Sequence, residues 1–154
     1  MKKVAIIMGS ESDKPVVESS IEYYNYFGID AEMRVMSAHR NPDDVQKFSK
    51  NARNEGYCII VACAGMAAHL GGVIAAHTTL PVIGVPLSGS ELKGVDALYS
   101  MVQMPAGVPV ATMAIGKSGA RNAAVFAAEV LSLADENIAF KLDQFKKNGC
   151  RLPS

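Results

Sequence analysis

Residues 57–90 read YCIIVACAGMAAHLGGVIAAHTTLPVIGVPLSGS, and no Asp, Glu, Lys or Arg falls among them. A run this apolar is either a membrane span or the buried centre of a sheet. A transmembrane helix needs about 20 predominantly apolar residues in one helix. Here glycines at 65, 71, 72, 84 and 89 and prolines at 81 and 86 break the run, and His69 and His77 sit inside it. The stretch instead reads as strand Tyr57–Ala62, a small-residue loop, a short helix His69–His77 and strand Pro81–Val85. Strands that are apolar throughout belong to parallel sheets covered on both faces.

The flanking sequence alternates in the same way. Val4–Met8 is a short apolar strand ended by Gly9. Lys14–Phe27 carries apolar residues near helical spacing, with Asp13 as cap, Pro15 in the first turn and Gly28 as stop. Asp30–Met36 alternates as a strand nearer an edge. Asn41 caps a helix running to about Asn54, with Pro42 at its first position and Asp43 and Asp44 on its positive end. Helix Val95–Val102, strand Val108–Ile115 and helices Ser118–Ala134 and Asn137–Lys147 complete the chain. The expected architecture is a single α/β domain over residues 1–154. It is a three-layer α/β/α sandwich with a five-stranded, mostly parallel sheet of flavodoxin-like or Rossmann-like type, closed by C-terminal helices.

Composition narrows the function classes. The 154 residues are 49% hydrophobic and 19% charged, as in a soluble globular chain. Fifteen Lys and Arg balance fifteen Asp and Glu. A neutral chain lacks the basic footprint that nucleic acid or an anionic membrane demands, so neither is expected as a partner. Cys58, Cys63 and Cys150 form no even framework and no CxxC, which argues against both a disulfide scaffold and a structural zinc site. No metal site is expected. The apolar run at Val4–Met8 is too short for a signal peptide, and Glu11 and Asp13 follow it closely. The expectation is a cytoplasmic protein.

Ligands of an open parallel sheet bind beyond the carboxyl ends of its strands. Gly9-Ser10-Glu11-Ser12-Asp13 follows the first strand. Glycine, hydroxyls and a helix start would cradle one phosphate, though serine caps on an ordinary turn read the same way. Asp13 suits ribose hydroxyls or a helix cap. Ser37-Ala38-His39-Arg40 follows the second strand. An imidazole there can take and return a proton near neutral pH, and Arg40 offers a fixed cationic fork. A loop-end histidine can equally be a structural hydrogen bonder. The loop 63–72 after the third strand has almost no polar side chain besides His69. It suits a dry pocket for something small and weakly polar, or close helix–sheet packing. His77 reads as a helix C-terminal cap, Cys58 as core, and Cys63 as close enough to the loop to be exposed. Met101 and Met104 suit a pocket or a subunit contact. The stripe Ala120, Ala123, Ala124, Ala127 and Ala128 suits packing inside the chain, with an oligomer interface as alternative.

Several of these segments together resemble one family. Met8-Gly9-Ser10-Glu11-Ser12-Asp13, Ser37-Ala38-His39-Arg40, Ala67-Ala68-His69-Leu70, Gly84-Val85-Pro86 and the run from Gly94 to Gly116 are similar to the signature loops of the N5-carboxyaminoimidazole ribonucleotide mutases. The resemblance implies an isomerase of de novo purine synthesis. It would move a carboxylate from the exocyclic nitrogen of an aminoimidazole ribonucleotide to ring carbon C4, with no cofactor. It implies His39 as general acid and base, and Ser10, Asp13 and Arg40 at nucleotide-binding positions. Ser12, Ser37, Gly65 and His69 belong to the same substrate-binding loops. It also implies a homo-octamer with active sites shared between subunits. A related class carboxylates aminoimidazole ribonucleotide directly with carbon dioxide. That class has lysine where Arg40 stands and lacks Ala-Ala-His-Leu, so this chain sides with the mutases. The chain departs from the mutase pattern at Met66, where glycine is common, at Gly71, where proline is common, and at Cys63, where a small residue is common. Lys14-Pro15 also follows Asp13 where an aromatic is frequent. These departures bear on pocket rigidity and turnover.

Overall fold

The computed structural model describes residues 2–153. Its five strands are β1 (Lys3–Met8), β2 (Asp30–Val35), β3 (Tyr57–Gly65), β4 (Val82–Leu87) and β5 (Ala111–Thr112). They form one sheet in the order β2-β1-β3-β4-β5, with every pairing parallel. The helices are α1 (Lys14–Glu18), α2 (Ile21–Phe27), α3 (Pro42–Asn51), α4 (Leu70–His77), α5 (Val95–Val102), α6 (Lys117–Ser132) and α7 (Glu136–Lys147).

Alternation along each central strand divides the core in two. Val4, Ile6, Met8, Ile59, Val61, Cys63, Ile83, Val85 and Leu87 face a layer built from α1, α2, α6 and α7. Ala5, Ile7, Ile60, Ala62, Ala64 and Val82 face α3, α4 and α5. The small residues of the alanine stripe on α6 are at most 2% exposed and pack inside the chain against the first of these faces. They let α6 lie close to the sheet. Its first turn is tighter still: a Cβ on Gly119 would stand 1.6 Å from the Ala114 carbonyl oxygen. Met101 is fully buried, so of the two methionines considered for a pocket or contact, this one is core.

Three boundaries differ from the sequence expectation. The helix expected over 14–27 is two helices. The hydroxyls of Ser19 and Ser20 donate to the carbonyls of Val16 and Val17, both at 2.6 Å, and so compete with the helical ladder. The strand expected over 108–115 keeps only Ala111–Thr112. Pro109 has no N–H to give, and Gly107 turns the chain at φ 95°. The segment still follows β4, because Met113 donates to Gly84 and Gly116 to Pro86, at 2.8 and 2.9 Å. Conversely, β3 runs on through Gly65 rather than ending at Ala62.

The edge strand β2 is held by charge. Glu32 accepts from the Tyr57 hydroxyl at 2.5 Å, the Arg34 Nε at 2.6 Å and the Lys3 ammonium at 2.8 Å. Hydrogen bonds first from Lys3, then from Tyr57 and Arg34, hold its carboxyl down at about 2. Its ordinary value is 4.5. A lowered carboxylate contributes stability that is whole above about pH 4.5 and is lost as pH falls through about 2. The side chain is 36% exposed, so solvent screening reduces this to about 1 kcal/mol. Urea unfolding of wild type and Glu32→Gln across this range should show the stability gap closing as pH drops from 4.5 to 2. A gap that stays constant would contradict the clamp.

Candidate active site

The chain leaves β1 to form β2 on one side and later β3 on the other. That reversal opens a crevice beyond the carboxyl ends of β1 and β3. Met8 lies in register with Val35 on β2 and with Cys63 on β3, so the first two loops leave at one level while β3 runs two residues further to Gly65. Two backbone bonds hold the exits: Gly9 donates to Cys63 at 3.1 Å and Met36 to Met8 at 2.9 Å.

The first loop is a closed capping box over a short 3-10 turn, Glu11–Asp13. The Ser10 hydroxyl accepts from the Ser12 amide at 3.3 Å and lies 2.9 Å from the Ser12 hydroxyl. Asp13 does not cap α1. Its carboxylate reaches back to accept from the Ser10 amide at 3.1 Å. Burial pushes that carboxyl above the ordinary range, against the pull of the Ser10 N–H. A Cβ on Gly9 would lie 3.9 Å from this carboxylate, which forms one wall of the cradle.

The second loop is a tight turn organised by Ser37. Its hydroxyl accepts from the amides of His39 and Arg40, at 3.3 and 3.2 Å. Both lone pairs are then in use, and the O–H remains free to donate. Asn41, expected as a helix cap, makes no such bond. Its side-chain oxygen accepts from the Ser37 amide, 3.3 Å away, and locks the turn. Sequence reasoning missed this residue's part in the loop because Asn before Pro is the ordinary signal of a cap.

The third loop brings His69 to the start of α4. Its ring meets His39 edge to face, with centroids 4.9 Å apart, and Nδ1 of His69 lies 2.7 Å from Nε2 of His39. Both rings are exposed on the chain by itself, as are Ser10, Ser12 and Arg40. Gly65 is half-buried at the end of β3, and a Cβ there would make ordinary contact with the Leu87 carbonyl oxygen at 3.4 Å. Cys63 lies in β3 at 1% exposure, not at the surface, and burial pushes its thiol far up. It is no nucleophile. His77 ends α4, with Nδ1 donating to the Val73 carbonyl at 2.8 Å and Nε2 held by Gln46 at 2.9 Å, which is the capping role expected of it.

A separate hollow of about 430 Å³ lies between α2, α6 and α7 and is lined by Arg121 and Lys146. Those cations already pair with Glu22 and Glu129 at 4.0 and 3.1 Å, and no predicted site residue lines the hollow. Among the described residues no cluster of His, Cys, Asp or Glu has the geometry to hold a metal ion.

Comparison with known proteins identifies the family and the fold. A family model described as AIR carboxylase matches residues 3–151. A protein of Brucella melitensis named N5-carboxyaminoimidazole ribonucleotide mutase is 51% identical, over 94% of this chain and 89% of its own length. The mutase of Thermotoga maritima is 50% identical, over 96% of this chain and 85% of its own length. In three dimensions the crystal structure of PurE from Treponema denticola superposes with a TM-score of 0.87 at 27% identity. It covers 97% of this chain and 92% of its own. A 3-dehydroquinate dehydratase-like protein from Bifidobacterium longum shares the fold alone, at a TM-score of 0.55, 18% identity, and coverage of 86% and 99%.

The departure at Met66 now has a physical reading. Its φ is 55° with the side chain 62% exposed, a left-handed position that costs a non-glycine residue about 1 kcal/mol. Met66→Gly should leave the fold intact and raise its stability by up to about 1 kcal/mol, the strain relieved less the entropy glycine adds to the unfolded chain. Chemical denaturation reads this directly. A clear loss of stability would mean that Met66 makes contacts which outweigh its backbone strain.

Proposed function

The chain belongs to the AIR carboxylase family, and from that membership and the loop geometry we propose how it works. It is an isomerase, an N5-carboxyaminoimidazole ribonucleotide mutase of purine biosynthesis. The substrate is the ribonucleotide carbamate, and the product carries the carboxylate on C4. One observation supports the assignment of the chemistry: an exposed imidazole, His39, on the loop after β2 lies 2.7 Å from His69 of the small-residue loop after β3.

The reaction asks for one mobile proton. As the carbamate N–C bond breaks, the nitrogen takes a proton and carbon dioxide separates. C4 of the electron-rich ring then attacks the carbon dioxide, and the C4 proton leaves. Protons balance over the cycle, so one imidazole working first as acid and then as base suffices. His39 fills that role. The aminoimidazole supplies its own electrons, and no cofactor is called for. Carbon dioxide must be kept close between the two steps, which gives it a high effective concentration at C4. Ala67 and Ala68, beside the half-buried Gly65, leave a space without competing polar groups.

Ser10, Ser12, Asp13, Ser37, Arg40, Gly65 and His69 form the substrate-binding set. Arg40 and the serine hydroxyls suit the phosphate, and the Asp13 carboxylate suits ribose hydroxyls. The crevice is open on the isolated chain, yet the chemistry needs cover. A second copy is the natural cover, as in a homo-octamer with shared active sites. Support comes from α5 and the loop before it, where Leu92, Val95, Tyr99 and Val102 are 43–63% exposed. The last three follow helical spacing and form one unpartnered apolar stripe. Three free cysteines among the described residues suit a reducing cytoplasm. No helix of the described chain is long and apolar enough to cross a membrane.

His39→Asn tests the central role. It should leave ligand affinity and assembly near wild type and lower turnover by at least about 10²-fold. Isothermal titration with product, light scattering and a rate assay read the three quantities. Turnover near the wild-type rate would remove His39 from the chemistry.

A further inference from the structure

The contact between His39 and His69 is more specific than a shared pocket wall. The rings come from loops after different strands, 30 residues apart, and meet nitrogen to nitrogen at 2.7 Å. At that distance exactly one proton lies between them, since two N–H groups would collide and two lone pairs would repel. Nδ1 of His39 has no partner among the described residues. The backbone of His39 is fixed separately, through its amide and the Ser37 hydroxyl.

We infer that His69 is a positioning residue that accepts a hydrogen bond from Nε2–H of His39 and so presents Nδ1 of His39 to the substrate. This deepens the proposed reading of His39 as acid and base and rests on it. The argument follows from the proton count. The nitrogen facing the substrate must gain and lose a proton in each cycle. The opposite nitrogen then keeps its proton throughout and needs a constant acceptor. A neutral imidazole bound through Nδ1 provides one, whether His39 is neutral or cationic. His69 must then carry its own proton on Nε2. In the proton-donating step Nδ1–H of His39 passes its proton to the carbamate nitrogen as the N–C bond breaks. In the accepting step Nδ1 takes the proton from C4 after the C–C bond has formed. The bond to His69 persists through both and keeps the ring from flipping. On this account His69 leaves the substrate-contact set and acts through His39.

Two readouts test this. The chain has three histidines, so the imidazole ¹⁵N spectrum contains three ring systems, assignable by single substitution. Wherever His39 is neutral it should be the Nε2–H tautomer, and His69 should be the Nε2–H tautomer throughout. Kinetics then separate positioning from substrate contact. His69→Ala should lower kcat about 10²-fold with KM within about threefold of wild type. His69→Asn, whose amide oxygen can stand where Nδ1 stood, should keep the His39 tautomer and recover at least tenfold of that loss. A raised KM with kcat kept would make His69 a substrate contact. A neutral His39 whose single ring proton sits on Nδ1, or His69→Asn no better than His69→Ala, would overturn the inference. The tautomer readout needs no turnover. A wild-type protein inactive on the carbamate, with His39 still in the Nε2–H form, would therefore count against the mutase reading while leaving the ring-to-ring assignment in place.

Discussion

Parallel pairing of β1 with both of its neighbours is the constraint on which the site depends. The register that aligns Met8 with Val35 and with Cys63 sends three loops out at the same end of the sheet. The central strands β1, β3 and β4 are buried on both faces, so they leave no place for polar chemistry along the middle of the sheet. Ser10, His39 and His69 lie where they do because the backbone first becomes free of ladder bonds there. A slip of one residue would turn every inward side chain to the opposite layer and separate the loops.

This constraint explains what the sequence makes legible. The short apolar run ended by Gly9 and the helix stopped by Gly28 are local signals, and they locate those ends to within a residue. The loops beyond the first three strands follow from topology, since strands alternating with helices make a parallel sheet. What escapes is whatever depends on competition between local and long-range bonds. The break at Ser19 and Ser20 is set by hydroxyls that prefer carbonyls of the preceding turn, although the apolar spacing continues across it. The shortness of β5 reflects the lost donor of Pro109 rather than a lack of apolar residues.

The same division holds in the site. Residue types in the loops identify Ser10, Asp13, His39 and Arg40 as chemistry-bearing. Their hydrogen bonds are not legible, because they join atoms with no sequence relation. The pairing of His39 with His69 has no periodicity or spacing behind it. Asp13 looks like a cap for α1, yet its carboxylate closes a box on Ser10. Cys63 sits one strand position beyond Ala62, and the extension of β3 through Gly65 buries it. Gly71 is buried with room for ordinary contact: a Cβ would meet Val110 at 3.4 Å. The features at Met66, Gly71 and Cys63 therefore bear on backbone conformation and packing.

A mutase moves a carboxylate within one substrate, without outside energy. Purified protein should be given N5-carboxyaminoimidazole ribonucleotide in one reaction, and aminoimidazole ribonucleotide with low bicarbonate in another, both without ATP. The account predicts rapid formation of the C4-carboxylated product in the first alone. Efficient product formation in the second at low bicarbonate would contradict it and make the protein a direct carboxylase.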